Sequence, residues 1–209
     1  HDPYSNSKGC AELVTSAYRR SFFGSESCVS LASARAGNVI GGGDWAEDRL
    51  IPDFMRAIGA KQKVSIRNPH AIRPWQHVLE PLGGYLLLAL GMAEAKGNAR
   101  RAEVCSGFNF GPDPDDNRAV SELVEQVLAL WPGAWQADAD PHPPHEANLL
   151  NLAIDKAERL LSWKPVWDFD RAITHTVDWY RSVHDGEATP LLKTQSQIHE
   201  YTELFYNEI

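Results

Sequence analysis

The sequence predicts an α/β fold organised on a parallel sheet, and three observations carry that expectation. A helical stretch at the start leads directly into an apolar strand-like run, which is half of an α/β unit. Amphipathic helical segments and short β-rich runs then follow one another along the chain. A length of 209 residues with 43% apolar content is enough to bury a core of one domain or one and a half.

Pro3 suits a first helical turn, and Cys10, Val14, Ala17, Tyr18 and Phe22 recur at helical spacing, so a helix is expected from Pro3 to Phe23, closed at Gly24. Cys28 to Ala34 reads as a buried strand. Gly37 and the run Gly41-Gly42-Gly43 offer a backbone able to approach a ligand closely, although the glycines lead to Asp44-Trp45 and do not join a strand to a helix as a phosphate-binding fingerprint would. A helix is expected over Arg49 to Ile58 with Pro52 in its first turn, then a strand at Val64 to Arg67 and a turn at Asn68-Pro69. Ile72 to Val78 reads as one strand, placed at an edge by Pro74.

Leu79 to Ala95 is apolar enough for a buried helix, and Gly97 to Arg101 reads as a basic, solvated linker. A strand and turn follow at Glu103 to Pro112, where alternation sends Asn109 to the face opposite Phe108 and Phe110. After the acidic loop Asp113 to Asp116, the stripe Val120, Leu123, Val124, Val127, Leu128 and Trp131 marks an amphipathic helix over Val120 to Leu130. Trp135 to Pro144 is a polar loop or short strand leading into His145. A short helix from Asp155 ends before Pro165, the last main helix covers Phe169 to His184, and the tail from Thr189 is expected along the surface.

The formal net charge of −8 argues against broad binding of nucleic acid or an anionic membrane, both of which need a basic surface. Three cysteines, Cys10, Cys28 and Cys105, are odd in number and sit in apolar runs, which fits reduced, buried thiols better than a disulfide frame. No metal-ligand spacing is visible among them. The longest apolar run, Tyr85 to Met92, is too short to span a bilayer, so a cytoplasmic protein is expected. The opening on His1, just before a helix with no strand ahead of it, suggests a fragment or processed product.

The chemistry is concentrated at the start. Tyr4 and Lys8 lie one turn apart on one helical face, so a phenol and an ammonium can meet one reactant. A phenol titrates near pH 10, and a neighbouring cation favours its phenolate and brings it towards acid–base use near neutrality. Tyr4-Ser-Asn-Ser-Lys8, the helix after it, the block from Arg35 to Trp45 and the block from Ile66 to His77 together resemble the extended short-chain dehydrogenase/reductases, in the NAD-dependent epimerase/dehydratase group. The resemblance runs over essentially the whole chain.

It implies the C-terminal portion of such an enzyme: an incomplete Rossmann-type parallel sheet plus a smaller α/β substrate-binding domain. Residues 1–45 would be the remnant of the NAD-binding domain and 46–209 mainly the nucleotide-sugar domain, with 79–111 returning to the first. The implied reaction is a 4,6-dehydration of CDP-glucose for deoxysugar and surface-polysaccharide synthesis, with NAD as a recycled cofactor. Tyr4 would take the proton of the sugar 4-hydroxyl, Lys8 would hold the cofactor ribose, and Arg35 would join them at the cofactor. Asn38, Trp45, Arg49, Ile51, Pro52, Arg73, Asn109 and His145 would bind substrate, with the guanidinium of Arg73 offering a fork for diphosphate oxygens. The resemblance also implies a homodimer through the Tyr-Lys helix. A 4-epimerase or reductase of the same superfamily, and a non-catalytic nucleotide-sugar-binding module, are the competing readings; the elimination acid and base and the dinucleotide fingerprint lie upstream in relatives, so this fragment alone is expected to be inactive.

Overall fold

The order of elements follows the apolar periodicity closely. They are α1 (Pro3–Ser21), β1 (Ser33–Ala36), β2 (Asn38–Ile40), α2 (Leu50–Gly59), β3 (Lys63–Ile66), β4 (Ile72–Arg73), β5 (Trp75–His77), α3 (Leu79–Glu94), α4 (Asn98–Val104), β6 (Gly107–Phe110), β7 (Arg118–Ala119), α5 (Val120–Leu130), β8 (Ala134–Ala137), α6 (Asp155–Leu161), α7 (Phe169–His184) and α8 (Pro190–Glu208). The structure, a computed structural model, describes residues 2–24, 26–138 and 150–208. The chain divides into two compact units. The first comprises His1–Ala36, Leu82–Phe110 and Ala153–Lys164; the second comprises Gly37–Pro81, Gly111–Leu152 and Pro165–Ile209.

In the first unit β1 runs parallel to β6, with Ser33 opposite Gly107 and Ala36 opposite Phe110. Phe108 and Phe110 point to the buried side and Asn109 to the other, as strand alternation requires. Phe110 meets Trp163 edge-on at 5.0 Å and Tyr85 at 5.5 Å. Gly84, inside α3, is explained by the same ring: a Cβ there would overlap Phe110. α1 starts on Pro3 with the Asp2 carboxylate accepting the Ser5 N–H at 2.8 Å, and it ends with Arg19 and Arg20 beside the negative pole of the helix.

The second unit holds the larger core, in which Phe54, Leu123, Val124, Val127, Ile173 and Val177 from α2, α5 and α7 interlock. Its strands pair as β2 with β5 and β3 with β8, both parallel, and β4 with β7 antiparallel. Side-chain caps set two helix starts: Glu122 accepts the Ala119 N–H before α5, and Asp168 accepts the Arg171 N–H in α7.

Several expectations are corrected. The stretch Cys28 to Ala34 is not a buried strand: extended pairing begins only at Ser33, and β1 is exposed or half-buried because β6 is its one hydrogen-bonded neighbour among the described residues. The single strand over Ile72 to Val78 is broken at Pro74, so β4 pairs with β7 and β5 with β2. Pro74 has no N–H to donate, and its carbonyl instead accepts the Asn38 N–H at 3.1 Å. α3 is not buried all round, since Leu82, Leu86 and Leu90, four residues apart, line an exposed face. The basic run 97–101 enters a short helix, α4, rather than a linker. Cys10 is exposed because the apolar stripe of α1 faces outward, Cys28 is exposed in the loop after it, and Cys105 alone of the three is buried. The tail is a helix, α8, that buries Gln197, Tyr201 and Phe205.

Candidate functional site

Tyr4 and Lys8 meet on the open face of α1. The phenol ring is 70% exposed, and the Lys8 ammonium lies 5.5 Å from its centroid. α1 buries none of its residues, so helical phase alone does not press it against the strands; polar side chains do. Ser33 donates to Glu12 Oε2 at 2.8 Å, Arg35 grips the same carboxylate through Nε at 2.8 Å and Nη2 at 3.0 Å, and Arg19 Nε donates to the Leu31 carbonyl at 2.9 Å. Arg35 Nη1 continues to Asn109 Oδ1 at 3.0 Å, and Asn109 Nδ2 donates to the Ala153 carbonyl at 3.1 Å. The two charges reinforce each other: Arg35 holds the Glu12 carboxyl below the usual range, and Glu12 raises the already high pKa of the guanidinium.

From α6, Lys156 donates to Ser106 Oγ at 2.6 Å and to the Gly107 carbonyl of β6 at 3.0 Å, and it sits 4.5 Å from the Phe108 ring centroid. Burial lowers its pKa, and the positive charges of Arg19, Arg35 and Arg159 lower it further.

The second unit carries the other expected residues. Asn38 opens β2 opposite Trp75, and Gly37 is required before it because a Cβ there would lie 2.8 Å from the Pro74 carbonyl. Trp45 is exposed at its loop and meets Tyr180 edge-on at 5.1 Å, while Arg56 Nη1 donates to the Trp45 carbonyl at 2.8 Å. Arg49 pairs with Asp44 at 3.3 Å. Ile51 and Pro52 are buried in the first turn of α2, Ile51 within the core. Arg73 is buried on β4, with Nη1 donating to the Ile72 carbonyl at 2.9 Å. His145 lies outside the described residues. The glycine run is not an open cradle: Gly43 adopts φ 83°, and the Trp179 ring occupies the space where a Cβ at Gly42 would stand.

No family model matches the chain. It is 46% identical over 207 residues to CDP-glucose 4,6-dehydratase of Salmonella typhimurium, an alignment covering 96% of this chain and 56% of that protein. The chain therefore spans a little over half the length of the curated relative it matches. Among solved structures, dTDP-glucose 4,6-dehydratase of Bacillus anthracis in complex with NAD matches with a TM-score of 0.68 at 18% identity, over 87% of this chain and 53% of that one. UDP-glucose-4-epimerase of Stenotrophomonas maltophila matches with a TM-score of 0.71 at 16% identity, over 89% and 56%. UDP-glucuronic acid 4-epimerase of Bacillus cereus matches at 0.70 and 16%, over 87% and 53%. The fold is that of part of an extended short-chain dehydrogenase/reductase.

Within the extended short-chain dehydrogenase/reductase fold, the structure brings Tyr4 to Lys8 and Arg35 to Asn109, and it seats Ile51 and Pro52 in packing positions. Sequence reasoning assigned no role to Glu12. Its signal was present, since Tyr4, Lys8 and Glu12 follow one another at intervals of four and share a helical face. It also gave no weight to Glu80, which is wholly buried and accepts the backbone N–H groups of Val166 at 3.1 Å and Trp167 at 2.7 Å, and the Tyr201 hydroxyl at 3.1 Å. Burial pushes its pKa up to about 7. Nearby in sequence, His77 is buried, accepts the Leu79 N–H at Nδ1 and is pushed down to about 3 by burial and then by His175. Both side chains are buried.

Proposed function

We propose that the chain is part of a CDP-glucose 4,6-dehydratase, converting CDP-D-glucose to CDP-4-keto-6-deoxy-D-glucose and water. The observation that carries this reading is the Tyr4–Lys8 pair, held together on a solvent-open face in a chain closely similar to a dehydratase of that name. The net change is oxidation at C4, loss of water across C5 and C6, and reduction at C6. Tyr4 accepts the proton of the C4 hydroxyl, with the Lys8 ammonium 5.5 Å from its ring centroid. Once C4 is a ketone, the C5 proton is acidified and the C6 hydroxyl can leave. NAD, when bound, supplies reversible hydride exchange with the sugar.

The residues present fit one end of that cofactor. Lys8, exposed beside Tyr4, would donate to ribose hydroxyls; the run Gly41-Gly42-Gly43 offers no pyrophosphate cradle, because the Trp179 ring fills the approach to Gly42. Asn38, Trp45, Arg49 and Arg73 are assigned to the nucleotide-sugar, and His145 keeps its expected place in that set. Ile51 and Pro52 support the set through the packing of α2. Residues up to Trp45 belong to the cofactor-binding part in this reading, and most of the remainder to substrate binding.

A homodimer through α1 completes the proposal. Leu13, Val14 and Tyr18 on α1, Phe22 at its C-terminal cap, and Leu82, Leu86 and Leu90 on α3 are exposed apolar side chains that a second copy would cover. Among the described residues no helix is long and apolar enough to cross a membrane. A cytoplasmic location and a role in deoxysugar synthesis for surface polysaccharide belong to the same reading. The test is product formation by the complete protein: CDP-glucose should yield a 4-keto-6-deoxy sugar, whereas C4 epimerisation without loss of water would identify the epimerase chemistry, and CDP binding without turnover a binding module.

A further inference from the structure

Glu12 follows Tyr4 by two turns and Lys8 by one, on the same face of α1. We infer that Glu12, Arg35 and Asn109 form a positioning clamp that sets the seat of the Tyr4–Lys8 helix against β1 and β6. The inference rests on the reading of Tyr4 as the base for the sugar hydroxyl.

Two independent features support it. The first is the absence of any buried side chain on α1, which leaves its seating to polar ties. Arg19 ties the last turns to the Leu31 carbonyl, and Glu12 ties the middle of the helix, nearer the reactive pair. The second is the room made for the guanidinium. Gly107 stands opposite Ser33 in the strand register, and a Cβ at that position would overlap Arg35 Nη2 and lie 3.3 Å from Ser33 Oγ.

The fork is used from both sides. Nε and Nη2 hold the two Glu12 oxygens, Nη1 holds Asn109, and Asn109 passes the tie to the Ala153 carbonyl. Lysine could supply the charge of Arg35 but not this planar, divided donation. Arg35 and Asn109, expected at the cofactor and the substrate, are thus assigned to positioning. Displacing a reacting group by about 1 Å costs on the order of 100-fold in rate, so a clamp remote from the phenol can govern turnover.

The experiment compares Glu12→Gln, Arg35→Lys, the double variant, and Glu12→Gln in a Tyr4→Phe background, all in the complete protein with NAD and CDP-glucose. Each single variant should lower kcat by about 10- to 100-fold, with KM and NAD retention nearly unchanged. The double variant should be no worse than the poorer single. In the Tyr4→Phe background, Glu12→Gln should cause no further loss, which a merely structural role would not produce. Amide hydrogen exchange should quicken in α1 in both single variants. An unchanged kcat, a loss confined to KM or NAD retention, a full additional loss without Tyr4, or unaltered exchange in α1 would overturn the clamp. If the wild type makes no 4-keto product while α1 exchange still quickens in the variants, the dehydratase reading fails and the clamp is supported.

Discussion

In the proposed reading Tyr4 is the base for the sugar hydroxyl, and its side chain is open to a reactant, mostly exposed, with the Lys8 ammonium 5.5 Å from the ring centroid. Tyr4→Phe removes the proton acceptor and should lower kcat by about 10²- to 10⁴-fold, with the fold intact by circular dichroism because an exposed hydroxyl contributes nothing to packing. Retention of full activity would exclude Tyr4 as the base. Two buried groups give a separate, pH-dependent expectation. His77, depressed from 6.5 to about 3 by burial and by His175, stabilises the fold above pH 6.5 and loses that contribution as pH falls towards 3. Glu80, raised from 4.5 to about 7 by burial, contributes below pH 4.5 and loses that contribution as pH rises through 7. Between these limits the slopes oppose at about 1.4 kcal/mol per pH unit each and cancel. Glu80→Gln should therefore show stability rising with pH between about 4.5 and 6.5 relative to wild type in urea unfolding; parallel profiles would refute the balance. The residue type at Tyr4 and Lys8 was legible because spacing on a helix is local. The engagement of Arg35 by Glu12 was not, since it depends on strand register 23 residues away in sequence.

At the scale of elements, α8 shows what a linear reading lacks. The tail carries few turn signals, yet Tyr201 and Phe205 are buried and stacked at 5.4 Å, and the Tyr201 hydroxyl donates to Glu80 at 3.1 Å. Trp167 completes the cluster, stacked on His175 at 3.9 Å and edge-on to Tyr201 at 5.3 Å. Nothing near residue 201 in sequence announces a partner at residue 80. Tyr201→Phe should destabilise by about 1–3 kcal/mol through the lost bond to a buried carboxyl, and protection from hydrogen exchange should fall along α8 first. An unchanged urea midpoint would show that the tie carries no net stability. α5 and α7, by contrast, begin and end where the apolar period does, because their own stripes enter the core. The split of β4 from β5 at Pro74 was half legible: the missing N–H was visible, but the two different pairing partners were not.

For the whole molecule, the α/β class and the larger helices α1, α2, α3, α5 and α7 could be read from alternating periodicities, whereas α4, α8 and the outward apolar faces of α1 and α3 could not. A stripe predicts burial without saying whether the covering surface belongs to the same chain. In the proposed dimer that surface is a second copy, and Val14→Glu, at a position exposed in the single chain, should leave stability of the protomer unchanged while shifting sedimentation towards monomer. A wild type that sediments as monomer across its working concentrations would remove the dimer from the account. The division into two units places the reactive pair on one and Asn38, Arg49 and Arg73 on the other. Accordingly, Arg73→Ala should raise KM for the nucleotide-sugar more than it lowers kcat, and Lys8→Met should lower kcat. The most direct measurement is the product released from CDP-glucose by the complete protein and by its Tyr4→Phe variant, identified by mass and by the 4-keto group. The account predicts a product lighter by one water from the wild type and almost none from the variant; an unchanged yield from the variant, or a wild-type product that has lost no water, would contradict it.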